Sequence, residues 1–297
     1  MTVSETMLFI LNTIGEMTME ILKLAAFSHN GQGGNPAGVA FYDVMPSEEE
    51  MLKIAKDVGY SETAFVVKHP QGDGWRVRYF APAREIAFCG HATIALSAVL
   101  GERFGEGAYK LFLNDGEVSV RAEKSGNGFL STLYSPETSS EDAPKEYVDE
   151  VLAGFNLTRD DLDPAFPIRF AFGGVRHLLF FVKERETLAG MKYDFEKVRA
   201  LMLDKNITTI SLLWRESDEL FHSRNPFASG GVYEDPATGA AAAALAGYLR
   251  DIGWQGKNEF IILQGEDMDM PSRLLVKYSP KIGESVAVSG ETRYIAE

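Results

Sequence analysis

Cys89-Gly90-His91-Ala92-Thr93 runs directly into the apolar segment 94–100. About half the chain later, Glu234-Asp235-Pro236-Ala237-Thr238-Gly239 runs into the Ala-rich segment 240–249. Each is a turn built on small residues that feeds a segment with no charge before its final turn. A helix apolar on every face has to be surrounded, so each is expected at the centre of its own packed unit. A spacing of half a 297-residue chain is what duplication of an ordinary domain gives. Two unrelated buried helices in one α/β domain would produce the same pattern.

Outward from these helices the chain alternates strands and helices. Residues 21–27 and 37–42 read as strands on either side of a Gly-rich loop, 29–35. Ser47 and Glu50 form a capping-box pattern ahead of Met51, Ile54 and Val58, which repeat at helical spacing. Residues 62–67 and 75–80 are strand candidates, the second with alternating Trp75, Val77 and Tyr79. Residues 109–134 read as strands with turns at Asn114-Asp115-Gly116 and Gly126-Asn127-Gly128. The polar stretch 135–145, with two prolines, is read as a linker. Beyond it, 147–155 and 195–203 read as helices, and 168–172, 177–182, 207–214, 260–263, 272–278 and 286–289 as strands. The expected organisation is an extension, 1–20, a first αβ domain, 21–135, a second, 146–280, and a closing strand in 281–297 that can return to the first domain. The fold class is α/β (α+β).

Composition narrows the function. Hydrophobic residues make up 45% and charged residues 24%, a balance that supports a buried core. A net charge of −14 opposes binding to nucleic acid or to an anionic membrane. It also opposes an anionic substrate, so any such ligand must be held by local donors. The single cysteine, Cys89, fits a reducing cytoplasmic setting and excludes an intrachain disulfide and a two-thiol racemase. Five histidines without HxxxH or HxH spacing argue against a tightly bound metal. The apolar run 7–14 is preceded by Glu5 and by no Lys or Arg, which makes a poor secretory signal and is too short to span a bilayer. It reads as an amphipathic extension, or as residues upstream of a start at Met17 or Met19.

The chemistry is expected at the helix starts. First-turn N–H groups lack intrahelical partners and carry partial positive charge, and Gly90 and Gly239 leave room for a ligand to approach them. Two such ends aimed at one cleft would hold carboxylate or enolate oxygens. Glu62 stands between Ser61 and the apolar run Ala64-Phe65-Val66-Val67, where lost solvation suits a carboxylate to proton transfer; an exposed strand-end Glu is the alternative. His91 at a helix start is expected as a neutral donor or weak base, or else as a capping or core histidine. Asp235 can cap the second helix, and Glu234 is expected in solvent. Cys89 is expected to pack near the site, with a nucleophilic thiolate as the alternative. The Gly31-Gln32-Gly33-Gly34 loop lacks both GxGxxG and GxxxxGK[ST], so it carries no nucleotide signal.

Several motifs together, Gly34-Asn35-Pro36-Ala37-Gly38-Val39, Ser61-Glu62-Thr63-Ala64-Phe65-Val66, Tyr79-Phe80-Ala81-Pro82 with Glu85, and the two helix starts, closely resemble the phenazine-biosynthesis PhzF-like family. They span about 21–290 in order, and Gln264-Gly265 with Met270-Pro271-Ser272 extends the likeness. The resemblance implies the diaminopimelate epimerase-like fold, two pseudo-symmetric domains of curved sheet around a central helix, with the site in the cleft between them. It implies isomerisation without cofactor or metal on a small anionic metabolite, in a homodimer. Glu62 matches the family's catalytic carboxylate, and His91 and Asp235 match residues lining its site. Asn35, Gly90, Ala92, Thr238, Gly239 and Ala240 would contact the substrate. The family's best-known activity isomerises a dihydro-hydroxyanthranilate. Ala240 departs from the Ser frequent at that position, which weakens the inference to that substrate and leaves open a non-catalytic metabolite-binding protein on the same fold.

Overall fold

The computed structural model describes residues 21–72, 74–126 and 128–296. The expectations for 1–20 lie outside the described residues.

In the first half, β1 (Ile21–Ser28) and β2 (Asn35–Phe41) pair as a hairpin. Helix α1 (Glu48–Val58) follows, with the Ser47 hydroxyl accepting from the Glu50 N–H and Gly59 closing the helix at φ +73°. This is the cap read from the sequence, and Gly suits the left-handed stop. Strand β3 (Glu62–Lys68) returns parallel to β2, and β4 (Trp75–Ala81) and β5 (Arg84–Ile86) fold back antiparallel. Helix α2 (Gly90–Phe104) leads to the meander β6 (Gly107–Leu113), β7 (Gly116–Ser125) and β8 (Gly128–Tyr134), with β6 parallel to β4.

The second half begins with β9 (Ser139–Asp142), α3 (Lys145–Gly154), β10 (Arg169–Phe172) and β11 (Arg176–Phe181). Helices α4 (Arg185–Ala189) and α5 (Phe195–Asp204) precede β12 (Thr209–Arg215), β13 (Leu220–Phe227) and β14 (Val232–Asp235). Helix α6 (Gly239–Asp251) then leads to β15 (Glu259–Gln264), β16 (Ser272–Tyr278) and β17 (Val286–Tyr294).

The pairing order repeats. The parallel pair β2–β3, antiparallel β3–β4, parallel β4–β6 and antiparallel β6–β7 of the first half reappear as β11–β12, β12–β13, β13–β15 and β15–β16. In each half the central helix is inserted between the two strands of the second parallel pair. This is the mixed α/β, diaminopimelate epimerase-like fold that the motifs imply. Strand β17 joins the halves, pairing with β8 along one edge and with β16 and then β1 along the other.

Residues 91–101 of α2 and 241–250 of α6 are all buried, as a helix apolar on every face requires. Small residues set how closely the sheets wrap them. A Cβ on Gly173 would lie 2.4 Å from the Ala240 carbonyl oxygen, and one on Gly101 would lie 2.7 Å from Phe129. Both distances are inside van der Waals contact, so the turn after β10 abuts the first turn of α6 backbone to backbone.

The structure corrects three readings. Segment 135–145, read as a linker, contains β9, which pairs with β10. Strand β13 escaped detection because its middle, His222-Ser223-Arg224-Asn225, is polar yet buried. Glu234, expected in solvent, is 5% exposed and forms a two-pronged ion pair with Arg224, Oε1 lying 2.9 Å from Nε. A buried carboxylate needs such a partner, and this pair ties β14 to β13 immediately before Asp235.

Candidate active site

The first-half and second-half helices meet head to head. A Cβ built on Gly90 would stand 3.9 Å from both the Ala240 nitrogen and the Gly239 Cα. Nothing lies closer to it than 3.8 Å, so packing does not demand glycine there. The first intrahelical bonds are Thr93 N–H to the Cys89 carbonyl and Ala242 N–H to the Thr238 carbonyl. The N–H groups of residues 90–92 and 239–241 therefore precede the helical ladder. The Thr238 side chain does not bond back to its own helix start, and the Cys89 sulfur makes no capping hydrogen bond although the Ala92 N–H faces it.

Around this junction the structure assembles side chains from distant positions. Glu62, the first residue of β3, is 9% exposed, and its Oε2 lies 3.2 Å from His91 Nε2. Ser61 Oγ lies 3.3 Å from the same nitrogen. The Cys89 sulfur is 3.4 Å from His91 Nδ1. Burial first, and then the charge of Glu62, raise the Cys89 thiol well above its ordinary value, while the Ala92 N–H opposes them. That opposes the thiolate a nucleophile needs. The sulfur is also 3.7 Å from Nε2, so it lies over the ring, while Glu62 and Ser61 both stand at Nε2, where an Nε2–H would donate to Glu62.

Asp235 ends β14 on the other side. Asn35 Nδ2 donates to its Oδ1 at 2.8 Å and to the Ala237 carbonyl at 3.1 Å, so β2 is tied to the second-half motif. The Thr238 hydroxyl donates to Asp235 Oδ2. Gln264 braces the turn, with its Nε2 donating to the Asp235 carbonyl at 2.7 Å and its Oε1 accepting from the Thr238 N–H at 3.2 Å. Burial pushes the Asp235 carboxyl up to about 6; Glu62 adds to this, and His91, Thr238 and Asn35 oppose it.

Of the residues singled out from the sequence, Glu62, His91, Asp235, Asn35, Gly90, Thr238, Gly239 and Ala240 come together at this junction. Ala92 does so only through its backbone, because its side chain is fully buried in the core. The sequence reading missed three contributors. Ser61 was visible only as part of the Glu62 motif. Tyr79, whose hydroxyl lies 2.5 Å from Thr93 Oγ1, was visible as an alternating strand residue and within a family motif but not as a site residue. Phe27 adopts φ +61° at a bulge in β1 and packs under α6, where a Cβ on Gly239 would be 3.2 Å from its ring. A left-handed non-glycine costs about 1 kcal/mol or more and persists only where packing holds it; no local sequence signal marks it.

The raised Asp235 value links to stability. A carboxyl with a folded-state value above its unfolded one favours folding while protonated, and loses that contribution as pH rises from about 4 through about 6. Discounted for partial exposure, this is on the order of 2 kcal/mol. Urea unfolding from pH 4 to 7 should therefore show the native chain losing about that much stability relative to Asp235→Asn. Parallel curves for the two proteins would contradict the environment described for Asp235.

Comparison with known proteins adds the following. Residues 24–297 match the family described as Phenazine biosynthesis-like protein, PhzC-PhzF. The uncharacterized isomerase YfhB of Bacillus subtilis is 29% identical, over 93% of this chain and 98% of that protein. The uncharacterized isomerase PA3578 of Pseudomonas aeruginosa is 33% identical, over 78% of this chain and 82% of that protein. In fold, the chain is similar to a Bacillus anthracis phenazine biosynthesis protein of the PhzF family, with a TM-score of 0.83 at 24% identity over 93% of this chain and 96% of the other.

Proposed function

This chain belongs to the PhzC-PhzF phenazine biosynthesis-like family, and we propose that it is a cofactor-independent isomerase that moves a proton on a small carboxylate-bearing metabolite. The observation that carries this reading is the Glu62–His91 pair beside two helix starts that nearly touch. Relatives named as isomerases support it.

In this reading the Glu62 carboxylate takes a proton from a substrate carbon, and the negative charge left behind spreads onto the substrate's oxygen atoms. Backbone N–H groups at the starts of α2 and α6 hold those oxygens. Glu62, now protonated, returns the proton to a different carbon of the same conjugated system, so no atom is gained or lost. The Nε2–H of His91 donates to Glu62 and fixes its orientation through both steps. Asp235, held by Asn35 and Thr238, closes the opposite wall and serves as a second acid–base group. Local N–H donors thereby overcome the unfavourable net charge of the chain.

Two experiments test this. Incubation in deuterated water with a panel of small 2-amino and cyclohexadiene carboxylates should give label in one of them with the native chain. Exchange should fall at least a thousandfold in Glu62→Gln with the circular dichroism unchanged; equal exchange in that variant, or a panel bound without label or product, would reject the assignment. Gly90→Ala should keep its thermal midpoint within a few degrees, since nothing lies within 3.8 Å of the added carbon, yet lose at least tenfold in the same exchange. Unimpaired exchange in Gly90→Ala would remove the helix junction from the mechanism.

A further inference from the structure

Glu62, Cys89 and His91 form a group whose donor atoms all lie within 4.8 Å of one another, and among the described residues no other three such side chains do so. We propose that these three side chains form a zinc-binding site at the helix junction, with the Cys89 sulfur, His91 Nε2 and a Glu62 oxygen as ligands.

The spacing fits the ion. Bonds of about 2.0 Å to nitrogen and oxygen and about 2.3 Å to sulfur, at tetrahedral angles, place donor atoms about 3.3–3.6 Å apart. Here Nε2 stands 3.2 Å from Glu62 Oε2 and 3.7 Å from the Cys89 sulfur. The sulfur also stands 3.4 Å from Nδ1, over the ring and off the Nε2 lone-pair axis, so the Cys89 and His91 side chains turn to share one ion. One borderline-soft thiolate, one imidazole and one carboxylate suit zinc better than magnesium or calcium, which prefer oxygen alone. All three residues are at least nine-tenths buried, which keeps the donors close together and shielded from water. The α2 amino end opposes a cation, but the two charged groups that act most on the thiol, Glu62 and Asp235, are both acidic. Binding releases the thiol proton to water as the Zn–S bond forms, and the fourth position is left for Ser61 or solvent.

Sequence spacing concealed this site. The histidines show no HxxxH or HxH pattern, and the third ligand comes from β3, far from the Cys89-Gly90-His91 turn. Zinc seated there occupies the carboxylate oxygen and the imidazole nitrogen that proton transfer uses. Inhibition of turnover is therefore a consequence that rests on the isomerase reading, whereas metal binding itself does not.

The test needs no substrate. Because Cys89 is the sole cysteine, a thiolate-to-metal absorption band on adding Co2+ reports this site alone. The native chain should bind one Co2+ with that band, and one equivalent of Zn2+ should abolish it. Glu62→Gln and His91→Asn should each weaken Zn2+ binding at least tenfold with circular dichroism unchanged, and Cys89→Ser should remove the band. His222→Ala, which alters the separate cluster of His222 with Glu216 and Glu266, should leave it intact. Absence of the band in the native chain, or its persistence at equal affinity in both Glu62→Gln and His91→Asn, overturns the proposal.

Discussion

Two helix amino ends of like polarity face each other at near contact, and the rest of the molecule is arranged to keep them there. Each carries about half a positive charge. At an effective dielectric constant of about 20, such poles about 5 Å apart repel by about 1 kcal/mol. One anionic charge about 4 Å from both gains about 4 kcal/mol under the same assumption. The junction is thus mildly unfavourable alone and strongly favourable around an anion. The fold sustains it by burying both helices along most of their length, by passing β17 through both halves, and by packing the strained Phe27 beneath the start of α6.

The same geometry explains why the surrounding polar groups are so extensively braced. Asp235 is fixed by Asn35 from the first half and by Thr238 and Gln264 from the second, and the buried Arg224–Glu234 pair anchors the strand that carries it. Glu62 is fixed by its place at the start of β3 and by His91. The junction therefore has one carboxylate on each side of the helix N–H donors. An anionic ligand at the helix starts and a thiophilic cation at Glu62, Cys89 and His91 would compete for one small region of a chain of net charge −14.

Much of this was legible in the amino-acid order because the deciding features are local. A helix apolar on all sides, a small-residue turn before it, and the Ser47 cap all act within a few residues, and each was found near its expected place. What escaped detection depends on tertiary partners. Strand β13 looks like a loop until Arg224 finds Glu234; β9 looks like a linker until it pairs with β10; Phe27 betrays its left-handed backbone only through Gly239 and Gly290. The Cys89–His91–Glu62 grouping likewise joins positions that no spacing rule connects.

The most direct examination of the central claim is a crystal structure of the native chain with a small dicarboxylate such as malonate at millimolar concentration. The account predicts a carboxylate whose oxygens accept from backbone N–H groups at the starts of both α2 and α6, within reach of Glu62. A carboxylate bound elsewhere, or held by one helix alone with Glu62 turned to solvent, would contradict it.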